Sequence, residues 1–290
     1  MNLLILGGTS FVGRHIVTQA LERGHVVTLA HRGQTNADIF PECEHLHFDR
    51  LGEWPDLGDR RWDAVVDTSA YVPRAITTAA QHLAIRANQY LFISTISVYD
   101  LEVPGAIDES SALYKELDEP TEEVNAQTYG PLKVACERVA KEAWGDQLYI
   151  VRPGIVIGQW DPTDRFEHWV RLIHAGGEVK VPQRLDQPVQ AIDGADLARF
   201  TLDILAGPSG VWNANGDETT FGTMLDTIRV TLSSDAQWVP VPIDELEKSP
   251  MVLPDDGSRD AIFRCSNARA RAAGLKLRTL SDTVVGIVYT

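Results

Sequence analysis

The apolar run LLIL at residues 3–6 leads without a break into GGTSFVG at 7–13, and a segment of helical periodicity follows at once. A strand that turns through glycines into a helix leaves backbone amides and a helix N-terminus facing the turn, an arrangement suited to the pyrophosphate of a dinucleotide. Gly7 and Gly13 hold the outer positions of a G-x-x-G-x-x-G pattern, and Ser10 takes the middle one, with a hydroxyl able to donate to phosphate. Thr9, Ser10, Phe11 and Val12 lie between the glycines and are expected against the same ligand. In the first helix Val12, Ile16, Val17, Ala20 and Leu21 share one face, and Gly24 supplies a stop.

The alternation continues through HVVTLA (25–30), EHLHF (44–48), WDAVVDTSA (62–70), a helix from about Pro73 to Ala87, QYLFISTIS (89–97) and LYIVRPGIVIG (148–158). Apolar strands separated by helical segments predict an α/β fold with a parallel sheet and crossover helices. Between Asp100 and Glu123 the pattern stops, and nine acidic residues face a single lysine, which predicts a long surface loop. After Gln159 the composition shifts toward Trp, His, Arg and Asp. The expected organisation is a dinucleotide-binding domain over 1–158, with 188–212 returning to it, and a substrate-binding domain built from 159–187 and 213–290.

With 290 residues and 44% hydrophobic content the chain is long enough for a substantial core, and its net charge of -15 opposes binding to nucleic acid or an anionic membrane. Cys43, Cys136 and Cys265 are scattered, with no histidine at zinc-ligand spacing, so neither a disulfide framework nor a metal is expected. No apolar run reaches the length of a membrane span, and a soluble, cytoplasmic protein is the expectation.

Cofactor choice is read at the end of the second strand, where NAD-binding chains carry an acid for the ribose hydroxyls. Here His31 stands at that point and Arg32 follows, so NADP is preferred over NAD, the guanidinium matching a 2'-phosphate. Asp49 at the end of the third strand is expected to accept from the adenine amino group, with Arg50 beside it; Ser69 and Ala70 end the fourth strand at the same sheet edge, and Tyr71 after them is a further cofactor candidate. In QTYGPLK (127–133) the four-residue spacing places Tyr129 and Lys133 on one helix face, and Pro131 costs little in a first helical turn. A phenol with a reference pKa near ~10 needs a neighbouring cation to act as a base at neutral pH.

Taken in order, GGTSFVG, FDR (48–50), STISVY (94–99), TYGPLK and RPG (152–154) resemble the extended short-chain dehydrogenase/reductase family, and within it the NAD-dependent epimerase/dehydratase group. The resemblance implies a doubly wound parallel sheet (Rossmann fold) with a smaller C-terminal substrate domain, and a homodimer through the helix carrying the tyrosine and lysine. It implies that Tyr129 is the general acid/base, that Lys133 holds the nicotinamide ribose and favours tyrosinate, and that Thr95 polarises the substrate oxygen. Pro153 and the backbone of Gly154 and Ile155 would flank the nicotinamide. Ser97, Trp160, Arg165 and His168 are the candidates for the substrate side.

Two departures bear on the substrate. Relatives acting on nucleotide-diphosphate sugars carry an arginine seven residues before the Asp196-Leu197-Ala198 triplet, where this chain has Val189. Dehydratases carry Asp-Glu after the threonine, where this chain has Ile96 and Ser97. Epimerisation and reduction remain the expected reactions. A non-catalytic NADP-binding redox sensor is the alternative, and RNA binding finds no basic stripe to support it.

Overall fold

A computed structural model describes residues 1–100, 107–248 and 250–289. The first half runs β1 (Asn2–Leu6), α1 (Phe11–Glu22), β2 (Val26–His31), β3 (Glu44–His47), β4 (Trp62–Asp67), α2 (Pro73–Leu83), β5 (Ala87–Ile93), α3 (Tyr129–Trp144) and β6 (Leu148–Pro153). It continues with β7 (Ile155–Ile157), α4 (Arg165–Ala175), β8 (Glu178–Pro182), β9 (Pro188–Val189), β10 (Ala191–Asp193), α5 (Gly194–Asp203) and β11 (Gly210–Ala214). The last elements are β12 (Thr219–Thr220), α6 (Phe221–Thr231), β13 (Gln237–Val241), α7 (Ala268–Ala272) and α8 (Leu280–Val288).

Seven of these strands form one parallel sheet in the order β11-β6-β5-β4-β1-β2-β3. The order reverses at β1 and β4, and this reversal opens a crevice at the strands' carboxyl ends, where ligands of such sheets bind. Leu6 is in register with Ala30 and with Asp67, and Asp67 with Phe92, so the loops after β1, β2, β4 and β5 all emerge at one edge.

The sheet is buried on both sides because the strands are apolar throughout. On one side Leu3, Ile5 and Leu29 pack with α1 and α5 residues such as Ile16 and Leu197; on the other, Leu4, Val65 and Phe92 pack with α2 and α3 residues such as Ile76 and Cys136. A separate apolar cluster centred on Trp169 and Phe221 joins α4, α6, α8 and β8. Of the loop expected over Asp100–Glu123, residues 101–106 lie outside the described residues. The rest contains no helix and only isolated bridges, Tyr99 to Leu113 and Ile107 to Cys265.

Candidate active site

The turn between β1 and α1 uses its glycines for conformation and for close approach. Gly7 and Gly8 sit at φ 107° and 97°, and a Cβ on Gly13 would lie 2.6 Å from the Gly8 nitrogen. Helix α1 therefore packs directly on the turn, leaving its N-terminus pointing into the crevice. Ser10, at the N-cap, makes no side-chain capping bond and is exposed. These are the features a pyrophosphate requires: amides without a Cβ in the way, and a hydroxyl with no capping role. Gly13→Ala is expected to cost roughly 1–3 kcal/mol of stability through overpacking and to abolish cofactor binding; equal cofactor affinity in wild type and variant, measured by fluorescence titration, would contradict the role of this turn.

One cavity of about 680 Å³ runs from this turn along the sheet edge to Tyr129 and Lys133. His31, Arg32, Asp49, Ser69, Tyr71, Thr95, Pro153, Gly154 and Arg165 also reach its wall. Gly8, Thr68, Glu122, Val124, Val156 and Pro162 line it as well, and the sequence reading missed them. Gly8 and Thr68 were the accessible ones, lying beside motif residues at strand ends, whereas Glu122 and Val124 arrive from the irregular loop.

Helix α3 begins at Tyr129, with Pro131 in its first turn. Asn125 fixes that start, its side-chain oxygen accepting from the amides of Gln127 and Thr128, each at 3.0 Å. Gly130 instead permits a close approach, since a Cβ there would stand 2.3 Å from the Ser97 carbonyl oxygen. The helix thus rests backbone to backbone on the 3₁₀ turn Ile96–Val98, and this approach sets Tyr129 beside Thr95. Burial raises the phenol above its usual pKa, while a hydrogen bond with Thr95 and the charge of Arg165 act in the opposite sense.

Lys133 is buried, its ammonium donating to the carbonyls of Ala70 at 3.0 Å and Ile93 at 2.8 Å. Burial lowers its pKa to about 8. The nitrogen lies 4.0 Å above the Phe92 ring and 5.7 Å from that of Tyr71. Behind the cavity Arg152 of the RPG motif donates to Glu137 at 2.6 and 2.9 Å and to the Tyr99 hydroxyl of the SVY motif at 2.8 Å. Tyr99 in turn donates to Asn213, and Ser94 donates to Glu137 at 2.5 Å. Two motif residues and the Ser94 hydroxyl are thereby committed to a buried scaffold.

Several expected contacts are placed elsewhere. Arg50 lies in the cavity wall, but its guanidinium turns inward, giving two hydrogen bonds of 2.6 Å to Asp67 and others to Ser69 and the Ala75 carbonyl. Ala70 presents its carbonyl to Lys133, and neither Ala70 nor Ile155, expected there through its backbone, lines this cavity. Ser97 accepts from Thr95 instead of facing the cavity. Trp160 lies over α1, its ring 4.6 Å from that of His15 and 3.9 Å from the Arg14 guanidinium. His168 sits on α4 against Trp169, away from the wall. Composition marked Gln159–Trp169 as ligand-facing, but of the named candidates only Arg165, the first residue of α4, reaches the cavity.

His31 ends β2 without an acid beside it, and burial, with the nearby His47 and His45, lowers its pKa to about 4. It is therefore neutral at physiological pH, and Arg32, exposed on the wall, is the cation at this end. Contrary to the expectation that no histidines are spaced for a metal, His31, His45 and His47 converge, because the pairing of β2 with β3 joins residues far apart in sequence.

A parallel sheet in this order, with a glycine turn and a cavity along its carboxyl edge, is the doubly wound Rossmann architecture. The sequence profile of the NAD dependent epimerase/dehydratase family matches residues 3–214, and the chain belongs to that family. No curated protein matches it in sequence. Among solved structures, UDP-glucose 4-epimerase with UDP-glucose from Thermotoga maritima is similar at 17% identity and TM-score 0.73, covering 98% of this chain and 96% of that one. UDP-glucuronic acid 4-epimerase from Bacillus cereus in complex with NAD gives 14% identity and TM-score 0.71, with coverage of 99% and 97%. The Bordetella bronchiseptica enzyme WbmH in complex with NAD+ gives 16% and 0.68, with coverage of 99% and 97%. At these identities the likeness concerns the fold.

Proposed function

We propose that the chain is an NAD(P)-dependent epimerase or oxidoreductase acting on an alcohol or carbonyl carbon of a sugar-like substrate, with Tyr129 moving the proton. The observation that carries this reading is that one cavity joins the glycine turn to Tyr129, Thr95 and Lys133. A bound nicotinamide dinucleotide would supply the hydride acceptor and donor. The chain supplies the rest. Thr95 hydrogen-bonds the substrate oxygen, and Tyr129 takes the hydroxyl proton as a carbonyl forms or returns it as the alcohol reforms. Its raised pKa keeps the phenol protonated at neutral pH, the donor form. Lys133, held by two carbonyls, keeps a cation at the floor of the site to favour tyrosinate when a proton must be accepted. The test is turnover of a panel of sugars and small alcohols with NADP+ and NAD+, read in wild type and Tyr129→Phe.

For the substrate, the three arginines of segment 159–187 separate cleanly. Arg171 is paired twice with Asp164, and Arg184 is paired with Asp260 and bonded to the Pro254 carbonyl. Arg165 lines the cavity and has no ion-pair partner among the described residues, so we assign it to an anionic substituent of the substrate. In this reading the cofactor half is 1–158 with 188–212 and the substrate half 159–187 with 213–290, supported by the separate core around Trp169. β11 ends at Ala214, so the main sheet takes in the first two residues beyond that boundary.

NADP preference follows from Arg32 at a strand end with no acid. Arg32→Ala is expected to weaken NADPH at least ~10-fold, the loss of one charge-assisted hydrogen-bonded contact, and to leave NADH unchanged. Tighter binding of NADH than NADPH by wild type would overturn the assignment. A cytoplasmic location belongs to the same proposal, supported by three cysteines that are all free thiols.

A further inference from the structure

We propose that His31, His45 and His47 form a binding site for a divalent transition-metal ion that prefers imidazole, Zn²⁺ foremost, at the outer edge of the sheet. β3 is the terminal strand, and its period of two puts His45 and His47 on one face. Register pairs His47 with His31 on β2, so the three imidazoles meet on that face. One ligand nitrogen from each lies within 4.8 Å of the others. Ring centroids are 4.6 Å apart for His31 and His47, 5.1 Å for His31 and His45, and 5.8 Å for His45 and His47.

The surroundings already orient two of the rings. His45 Nε2 lies 3.0 Å from the Phe40 carbonyl, which fixes the proton on Nε2 and leaves the Nδ1 lone pair directed at His31 Nε2, 2.8 Å away. A ligating histidine whose other nitrogen donates to a carbonyl is the usual outer-sphere arrangement of a metal site. His47 is exposed and its side chain makes no hydrogen bond among the described residues, so its lone pair competes with nothing but water. Three protein nitrogens and an open, solvent-facing fourth position match zinc's tetrahedral preference. Binding requires the proton between His31 and His45 to leave His31 Nε2. It moves to Nδ1, the tautomer that leaves Nε2 free as a neutral ligand, and Nδ1 then gives up the 3.1 Å bond from the Gly33 amide. Two strands hold the cluster, so small ring shifts suffice, the His31 and His45 nitrogens parting from 2.8 Å to the roughly 3.3 Å between two ligands of a tetrahedral zinc.

The test uses untagged, chelator-treated protein and the metal alone, so it does not depend on any activity. Titration with Co²⁺ should show one equivalent bound, with the intense visible absorption of a four-coordinate ion, displaced by Zn²⁺. His47→Gln, an exposed change that leaves the fold intact, and His45→Gln should each weaken binding at least ~10-fold. Zn²⁺ should raise the Tm of wild type and not of His47→Gln. Absence of saturable binding by wild type, or binding unchanged in His47→Gln, would overturn the site.

Discussion

Replacing Arg50 with alanine is expected to lower the unfolding free energy by about 3–5 kcal/mol, the cost of leaving a buried carboxylate without its cation. For a chain of this size that is a fall in Tm on the order of 10 °C. Asp67 is fully buried, and its two oxygens receive the Arg50 guanidinium, the Tyr90 hydroxyl and the Ser69 amide. Burial by itself would raise the Asp67 pKa; the charge and hydrogen bonds of Arg50 outweigh it, and the net shift is downward. The sign of the pH effect follows. This carboxylate contributes stability above its unfolded pKa of roughly 3.9, and the contribution is lost as pH falls toward the lower folded value. Acid unfolding of wild type should therefore contain a component that Asp67→Asn lacks. Because a missing partner is the cause, Arg50→Met combined with Asp67→Leu should recover most of the loss, short of about 1–3 kcal/mol for the Tyr90 hydroxyl left unpaired. A single Arg50→Ala variant as stable as wild type in urea would contradict this role for the network.

Arg50 also shows where sequence reading stops. Its neighbours in FDR place it at a strand end by the crevice, and nothing local reveals that Asp67, on another strand, draws the guanidinium inward. The sheet was legible because apolar runs and intervening helices are local patterns, and β1 with its glycine turn was the clearest of them. The reason for Gly130, a backbone contact with Ser97, is a long-range fact. Glu137 and Arg152 pair across fifteen residues, and the histidine cluster needs the β2–β3 register, so both depend on tertiary geometry. Trp160 and His168 were drawn to the site by composition, which says nothing about the face a side chain takes. Short pairs such as β7 with β10 and β9 with β12 carry too few residues to show a period.

Tyr129→Phe is expected to lower turnover by roughly 10²–10⁴, the usual contribution of a positioned acid or base. Phenylalanine keeps the ring in its place 6.3 Å from that of Tyr71 and removes only the hydroxyl. Lys133 is anchored by the Ala70 and Ile93 carbonyls and makes no bond to Tyr129, so its position should survive the substitution. Cofactor affinity, which the proposal places on the glycine turn and the β2 end, should survive as well. The loss must then appear in kcat, because the proton is transferred only as the reaction proceeds.

Proton transfer by Tyr129 is probed most sharply by a paired measurement: cofactor Kd by fluorescence titration, and turnover of the same preparations, for wild type and Tyr129→Phe. Equal Kd values and turnover reduced at least ~100-fold in the variant are expected; a variant that binds the cofactor and turns over at the wild-type rate would show that Tyr129 does not move the proton.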